Sequence, residues 1–265
     1  MKIIAVGTLK GGTGKTTVTF NLAGILALEK KVLLIDVDPQ CNLSNNIGVD
    51  ITDQGIWTVK DIFEGYKSDP ANLIIKQPIE RLPNLDVIAS SIGLVATELK
   101  IGGRTARERI LSNYIDDNRS FFEQYDYILI DTNPSMGMIN QNAFLAADSI
   151  ILVTDADDNS RLGLELFMSL WDAIRTDLRK EDNIKAVIIN NVDVRNNMTG
   201  EMFAYCEADE DLSKILVGSM IRKRVIFPKA ARARIPISIV EQRGAGKAFT
   251  DLYDVCEELY ERGVF

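Results

Sequence analysis

The stretch Lys2-Ile3-Ile4-Ala5-Val6-Gly7 followed by Thr8-Leu9-Lys10-Gly11-Gly12-Thr13-Gly14-Lys15-Thr16-Thr17 constrains the fold more than any other. A short apolar run leads into a glycine cluster, and the glycines lead into a helix-forming segment from Thr16 to Leu28. This is a reduced form of the phosphate-binding pattern G-x-x-x-x-G-K-[ST], in the strand-then-helix setting that the pattern requires. Backbone amides of such a loop, together with a helix N-terminus, offer partial positive charge to phosphates. The candidate nucleotide-binding set is therefore Gly11, Gly12, Thr13, Gly14, Lys15, Thr16 and Thr17. Lys15 would reach the β and γ phosphates, and the Thr16 hydroxyl would ligand Mg²⁺. The chemistry expected is ATP hydrolysis. Lys10, just before the glycines, is a second ammonium able to offset charge growing on a transferring phosphoryl group. Spacing does not say whether it acts within its own subunit.

Beyond the loop, short apolar runs alternate with helical stretches. Strands are expected at Lys2–Val6, Lys31–Ile35, Leu85–Ala89, Tyr127–Ile130, Ser149–Val153 and Ala186–Ile189, with a further edge strand at Ile215–Gly218. Helices are expected at Val59–Gly65, Glu98–Gln124, Met138–Ala146, Leu162–Arg179, Met198–Cys206 and Gly246–Arg262. All-apolar strands between helices read as an α/β fold whose mostly parallel sheet is covered on both faces. No linker or repeat divides the chain, so residues 1–265 read as one domain.

Several function classes are set aside by composition. There is no histidine, which removes His-based acid catalysis and His metal sites. The scattered Cys41, Cys206 and Cys256 form no CxxC pair and suit a reducing cytoplasm. No apolar run is long enough to span a membrane, no signal peptide is read at the N-terminus, and the last helix lacks a Lys-rich amphipathic face.

Catalytic groups of open α/β sheets gather beyond the carboxyl ends of the strands. Asp36 and Asp38 end one strand, on the same side if the backbone stays extended, and Asp131 ends another. One acid can then face a metal and another an attacking water. Asn190 ends a further strand, where a carboxamide can both donate to and accept from a base. The acids Asp155, Asp157 and Asp158 follow another strand and read as a solvated loop, with a contact to Lys10 as the alternative.

The loop Lys10 to Thr17, the run Asp36-Val37-Asp38-Pro39-Gln40-Cys41-Asn42, the run Asp126-Tyr127-Ile128-Leu129-Ile130-Asp131 and a basic C-terminal third together resemble the deviant-Walker ATPases, specifically the ParA/Soj group that segregates plasmids and chromosomes. The resemblance implies a three-layer P-loop NTPase fold with about seven to eight strands and an ATP-sandwich homodimer. In that dimer Lys10 would reach the partner subunit's nucleotide. It implies that Asp38 is the switch aspartate near the attacking water, that Asp131 supports Mg²⁺ through its water shell, that Asp36 lies near the metal, and that Asn190 contacts adenine. Three departures stand out, one of them Arg222 where the family usually has proline. Asp131-Thr132-Asn133-Pro134-Ser135 replaces the usual Asp-x-Pro-Pro-Ser, implying a switch of altered stiffness. Thr8 stands where the family often has asparagine.

Net charge is −8, yet the stretch Ile221–Lys247 carries Arg222, Lys223, Arg224, Lys229, Arg232, Arg234, Arg243 and Lys247 against the single acid Glu241. An acidic protein with one such segment presents a restricted positive face. Cations that neutralise phosphates bind duplex DNA without reading its sequence, so Arg222, Lys223, Arg224, Lys229, Arg232, Arg234 and Arg243 are the candidate DNA contacts. By resemblance, the partners are non-specific double-stranded DNA and a ParB-type centromere-binding protein, with the protein at the nucleoid in the cytoplasm. Nothing resembling a winged helix precedes the loop, so operator binding is not expected. A MinD-like membrane-associated ATPase and a ParA-like regulator of a mobile element are the rivals. The missing amphipathic tail and the basic segment count against the first. A nitrogenase-reductase-like enzyme would need paired thiolates that the chain lacks.

Overall fold

The computed structural model describes residues 1–52, 55–65, 69–157, 159–241 and 246–265. Its strands are β1 Lys2–Gly7, β2 Val32–Asp36, β3 Ile75–Lys76, β4 Leu85–Ile88, β5 Tyr127–Asp131, β6 Ser149–Thr154 and β7 Ile184–Ile189. Its α-helices are α1 Lys15–Leu26, α2 Asn42–Ile47, α3 Val59–Glu64, α4 Pro70–Leu73, α5 Leu94–Ile101, α6 Ile110–Asp117, α7 Arg119–Phe122, α8 Met138–Ala146, α9 Ser160–Asp177, α10 Asn197–Ala208, α11 Leu212–Ile215, α12 Ile226–Arg232, α13 Ile237–Val240 and α14 Lys247–Glu261.

The described strands form one seven-stranded sheet in the order β3-β4-β2-β5-β1-β6-β7. Every neighbouring pair is parallel except β3 with β4. Side-chain alternation splits the core in two, because successive strand residues face opposite sides. Ile3, Ala5, Leu33, Ile35, Ile128 and Ile130 face a layer built from α3 through α11. Ile4, Val6, Leu34, Leu129, Ile151 and Ile188 face the layer of α1, α2, α12, α13 and α14. The result is the expected three-layer α/β fold. Parallel pairing sends the carboxyl ends of β1, β2, β5, β6 and β7 to one edge, which gathers the candidate site.

Two expectations fail locally. Glu98–Gln124 is not one helix. It breaks at Gly102-Gly103, after α5, and is interrupted again by a 3₁₀ turn at Arg107–Arg109 and by Asn118. The helix-poor glycine pair ends α5, and Ala106 then takes a left-handed φ of 53°. The proposed strand Ile215–Gly218 is reduced to an isolated bridge between Leu216 and Val187. Just beyond the bridge, Glu258 of α14 accepts from the amides of Gly218 and Ser219, each at 2.9 Å. The short strand β3 was not anticipated. Its Lys76 donates to the buried Asp86 of β4 at 2.9 Å.

Candidate functional site at the carboxyl edge of the sheet

The glycine loop leaves β1 and enters α1 through Gly12 and Gly14, both at φ 83°. Gly14 has no alternative, since a Cβ there would stand 2.2 Å from the Asn190 amide nitrogen and the backbone is left-handed. Among the described residues no side chain caps α1, and its first turn carries no acid. Its leading amides are therefore open to an anion. Lys15 is buried at the head of this helix.

Asp131, at the end of β5, is fully buried and grips α1 with both oxygens. Thr16 Oγ1 donates to one at 2.7 Å and Thr19 Oγ1 to the other at 3.1 Å. Thr19 also donates to the Lys15 carbonyl at 3.0 Å. It was missed from the sequence, although its i+4 spacing from Lys15 puts it on the same helical face. Asp36 lies beside Asp131 in the parallel register of β2 and β5. Its carboxylate accepts from Ser44 N at 2.9 Å, Ser44 Oγ at 2.7 Å and Asp38 N at 3.1 Å. Burial, then the neighbouring Asp131 charge, push Asp36 up to about 7 against the Ser44 and Asp38 hydrogen bonds. Burial also raises Asp131, with the nearby Lys15 ammonium and the Thr16 and Thr19 hydrogen bonds opposing it.

Asp38 does not share the setting of Asp36, because the chain turns immediately. Cys41 N donates to the Asp38 carbonyl at 2.9 Å and Gln40 N to its carboxylate at 2.8 Å. Ser90 Oγ ties the same carbonyl to the end of β4 at 2.7 Å. The segment after Asp131 is stiffened by hydrogen bonds where the resemblance leads one to expect a proline ring. Asn140 Nδ2 donates to Asn133 O at 2.8 Å, Asn133 Oδ1 at 2.9 Å and Ser135 O at 2.8 Å, while Ser135 Oγ donates to Asn133 Oδ1 at 2.5 Å.

Lys10 is engaged within its own chain. Its ammonium donates to Asp155 Oδ1 at 2.7 Å, to Asp157 Oδ2, and to Ser160 Oγ at 3.3 Å. The acids after β6 are thus a cage for Lys10, which corrects the solvated-loop expectation for Asp155 and Asp157. Asp158 lies outside the described residues. Burial alone would lower the Lys10 ammonium, but hydrogen bonds and charge from Asp155 and Asp157 hold it above its ordinary value. Asp157 is lowered, chiefly by the Lys10 hydrogen bond. Asn190, just past β7, donates from Nδ2 to the Thr13 carbonyl at 2.7 Å and so braces the glycine loop.

The basic segment divides in two. Arg222 Nη1 lies 2.5 Å from Asp251 Oδ1, and Arg224 meets Asp251 Oδ2 through Nε and Nη2, each at 3.1 Å. Asp251 is buried on α14. These arginines are a clamp as well as a charge source, which composition did not reveal. Lys223, Lys229, Arg232 and Arg234 are exposed, the last three on or just after α12. Arg243 lies outside the described residues. Among the described residues no helix is long and apolar enough to cross a membrane, and no group of three or more acid or cysteine side chains is placed to hold a metal.

Comparison with known proteins fits this arrangement. The profile of a family described as an AAA domain matches residues 1–186. The virulence plasmid ParA family protein pGP5-D of Chlamydia psittaci is 30% identical over 264 residues, covering 98% of this chain and 94% of that protein. The chromosome partitioning protein ParA of Caulobacter vibrioides is 31% identical over 203 residues, covering 76% and 74% respectively. Among solved structures, a putative plasmid partition protein from Borrelia burgdorferi bound to AMPPNP superposes with a TM-score of 0.78 at 23% identity, over 98% of this chain and 99% of that one. An ATP complex of a Cyanothece McdA variant superposes at 0.82 and 22% identity, over 98% and 96%.

Proposed function

This chain belongs to the ParA family of P-loop ATPases, and on that premise we propose that it is a DNA-partition switch, one ATPase unit spanning residues 1–265. ATP favours a homodimer. The dimer holds non-specific duplex DNA through the segment at about 221–247, and a ParB-type centromere-binding protein stimulates hydrolysis and release. The protein then works at the nucleoid in the cytoplasm.

In this reading the amides of Gly11 to Gly14 and of α1, with Thr17, cradle the phosphates, and Lys15 neutralises the β and γ oxygens. Asp38 orients the attacking water. Asn190 gives one N–H to Thr13, and its carboxamide oxygen would accept from the exocyclic amine of adenine. The residues present also fit Mg²⁺. Asp36 and Asp131 are fully buried neighbours; the Asp131 charge raises the proton affinity of Asp36 and the Asp38 charge that of Asp131, so this cluster of acids can take up a cation. Thr16, Asp36 and Asp131 would hold the ion, directly or through water, beside substrate phosphates. Bound there it would neutralise charge on the phosphate oxygens. Lys10 adds its charge to the partner subunit's nucleotide once it leaves Asp155 and Asp157.

The observation that carries the reading is the placement of the basic segment. It packs on the sheet face that carries α1, and α13 at its end docks on α1 itself. Sedimentation velocity tests the switch. A monomer with ADP and a dimer with a non-hydrolysable ATP analogue are expected, with Lys10→Ala remaining monomeric in both. A wild-type protein of one size in both nucleotides would refute it.

A further inference from the structure

The phosphate-loop helix and the basic segment meet at Asn21. This side chain is 3% exposed and sits on α1 one turn after Thr17. Its Nδ2 donates to the Thr17 carbonyl at 2.8 Å, and its Oδ1 accepts from Ile237 N at 2.8 Å. One end of the carboxamide thus holds the first turn of the helix that carries Lys15 and Thr16. The other end holds the first residue of α13, three positions beyond Arg234. One turn along α1, Ser238 Oγ donates to the Gly24 carbonyl at 2.7 Å. Pro236 packs so closely there that a Cβ on Gly24 would stand 2.6 Å from it. The stem of Arg234 crosses Gly48, at the end of α2, where an added Cβ would lie 3.2 Å from Arg234 Cδ. The same short helix supplies Ser44 to Asp36.

We infer that Asn21 is a positioning residue through which the basic segment responds to the phosphate loop. A buried carboxamide with both ends bonded cannot follow one partner without straining or baring the other. A ligand that shifts the Thr16-Thr17 turn therefore pulls on Ile237, and α12 with its cations follows. The coupling of two sites needs an element that both of them bias, and Asn21 with the Pro236–Ser238 seat is that element. The mechanical link stands on geometry alone. Its consequence for duplex DNA rests on the partition reading above.

Two variants of the full chain test it. Asn21→Leu keeps the volume and removes both bonds. Asn21→Ser keeps a hydroxyl able to donate back to the Thr17 carbonyl but too short to reach Ile237, and it serves if the leucine variant fails to fold. Hydrogen exchange of peptides covering 226–240 is compared without nucleotide and with Mg²⁺ plus a non-hydrolysable ATP analogue. The wild type is expected to slow its exchange there when nucleotide binds. The variants should lose that change while still binding a fluorescent ATP analogue. No nucleotide effect on 226–240 in the wild type, or a full effect in a folded variant, would overturn the link. In parallel, duplex affinity with the ATP analogue is divided by that with ADP, and the ratio should fall by about fivefold or more in the variants. A wild type that binds no duplex in either state but shows the exchange effect would sink the partition reading and leave the link standing. A wild-type ratio preserved in the variants would sink the link.

Discussion

The ammonium of Lys10 lies 2.7 Å from the Asp155 carboxylate in the same chain, 145 residues away in sequence. A lysine expected to serve a second subunit is thus held at home, and the proposed dimer would have to compete with that pair. Asp155→Asn together with Asp157→Asn removes the competition. The dimer fraction at limiting ATP should rise by about fivefold, equivalent to about 1 kcal/mol for a partly exposed ion pair. Sedimentation over an ATP titration measures it. Unchanged self-association would mean that the cage does not restrain Lys10.

Lys15→Ala is expected to abolish nucleotide binding, because the buried ammonium is the charge nearest the head of α1. Calorimetry with the ATP analogue checks this. Wild-type affinity in that variant would remove Lys15 from the site.

Asp36 couples stability to pH. With its folded value near 7 and an unfolded carboxylate near the ordinary range, the folded state holds the extra proton between them. Its contribution is complete below about pH 4 and is lost as pH rises through about 7. Urea unfolding of the nucleotide-free protein should show this fall, and Asp36→Asn should flatten it. Parallel pH profiles for the two proteins would contradict the assignment.

The basic segment should separate into two kinds of residue. Lys229→Ala and Arg232→Ala should each reduce the salt dependence of DNA binding by about one unit of slope, with folding untouched. Asp251→Ala should instead cost about 1–3 kcal/mol in unfolding free energy, by freeing the Arg222 and Arg224 clamp and leaving the Arg222 amide unpaired. Salt-series anisotropy and urea melts distinguish the two. An Asp251→Ala protein as stable as the wild type would refute the clamp.

Much of this was legible because local chemistry and fold agree. Buried runs ending in Asp36, Asp131 and Asn190 read as parallel strands, and glycines between a strand and Lys15 read as a phosphate loop. What stayed hidden depends on contacts far apart in sequence. Nothing near Lys10 announces Asp155, and nothing near Arg222 announces Asp251. Ser44 is invisible as a partner of Asp36 until the turn at Asp38 brings α2 back over the strand end. The broken helix after α5 was a different kind of error. Its charge periodicity outweighed Gly102-Gly103, although a glycine pair is strong local punctuation.

If ATP gates a DNA-holding surface, duplex binding differs between two nucleotide states. Anisotropy of a labelled non-specific duplex, at low and at physiological salt, is measured with ADP and with a non-hydrolysable ATP analogue. Binding with the ATP analogue should weaken steeply with salt, and little binding is expected with ADP. Equal affinity in the two nucleotides, or no binding in either, would contradict it.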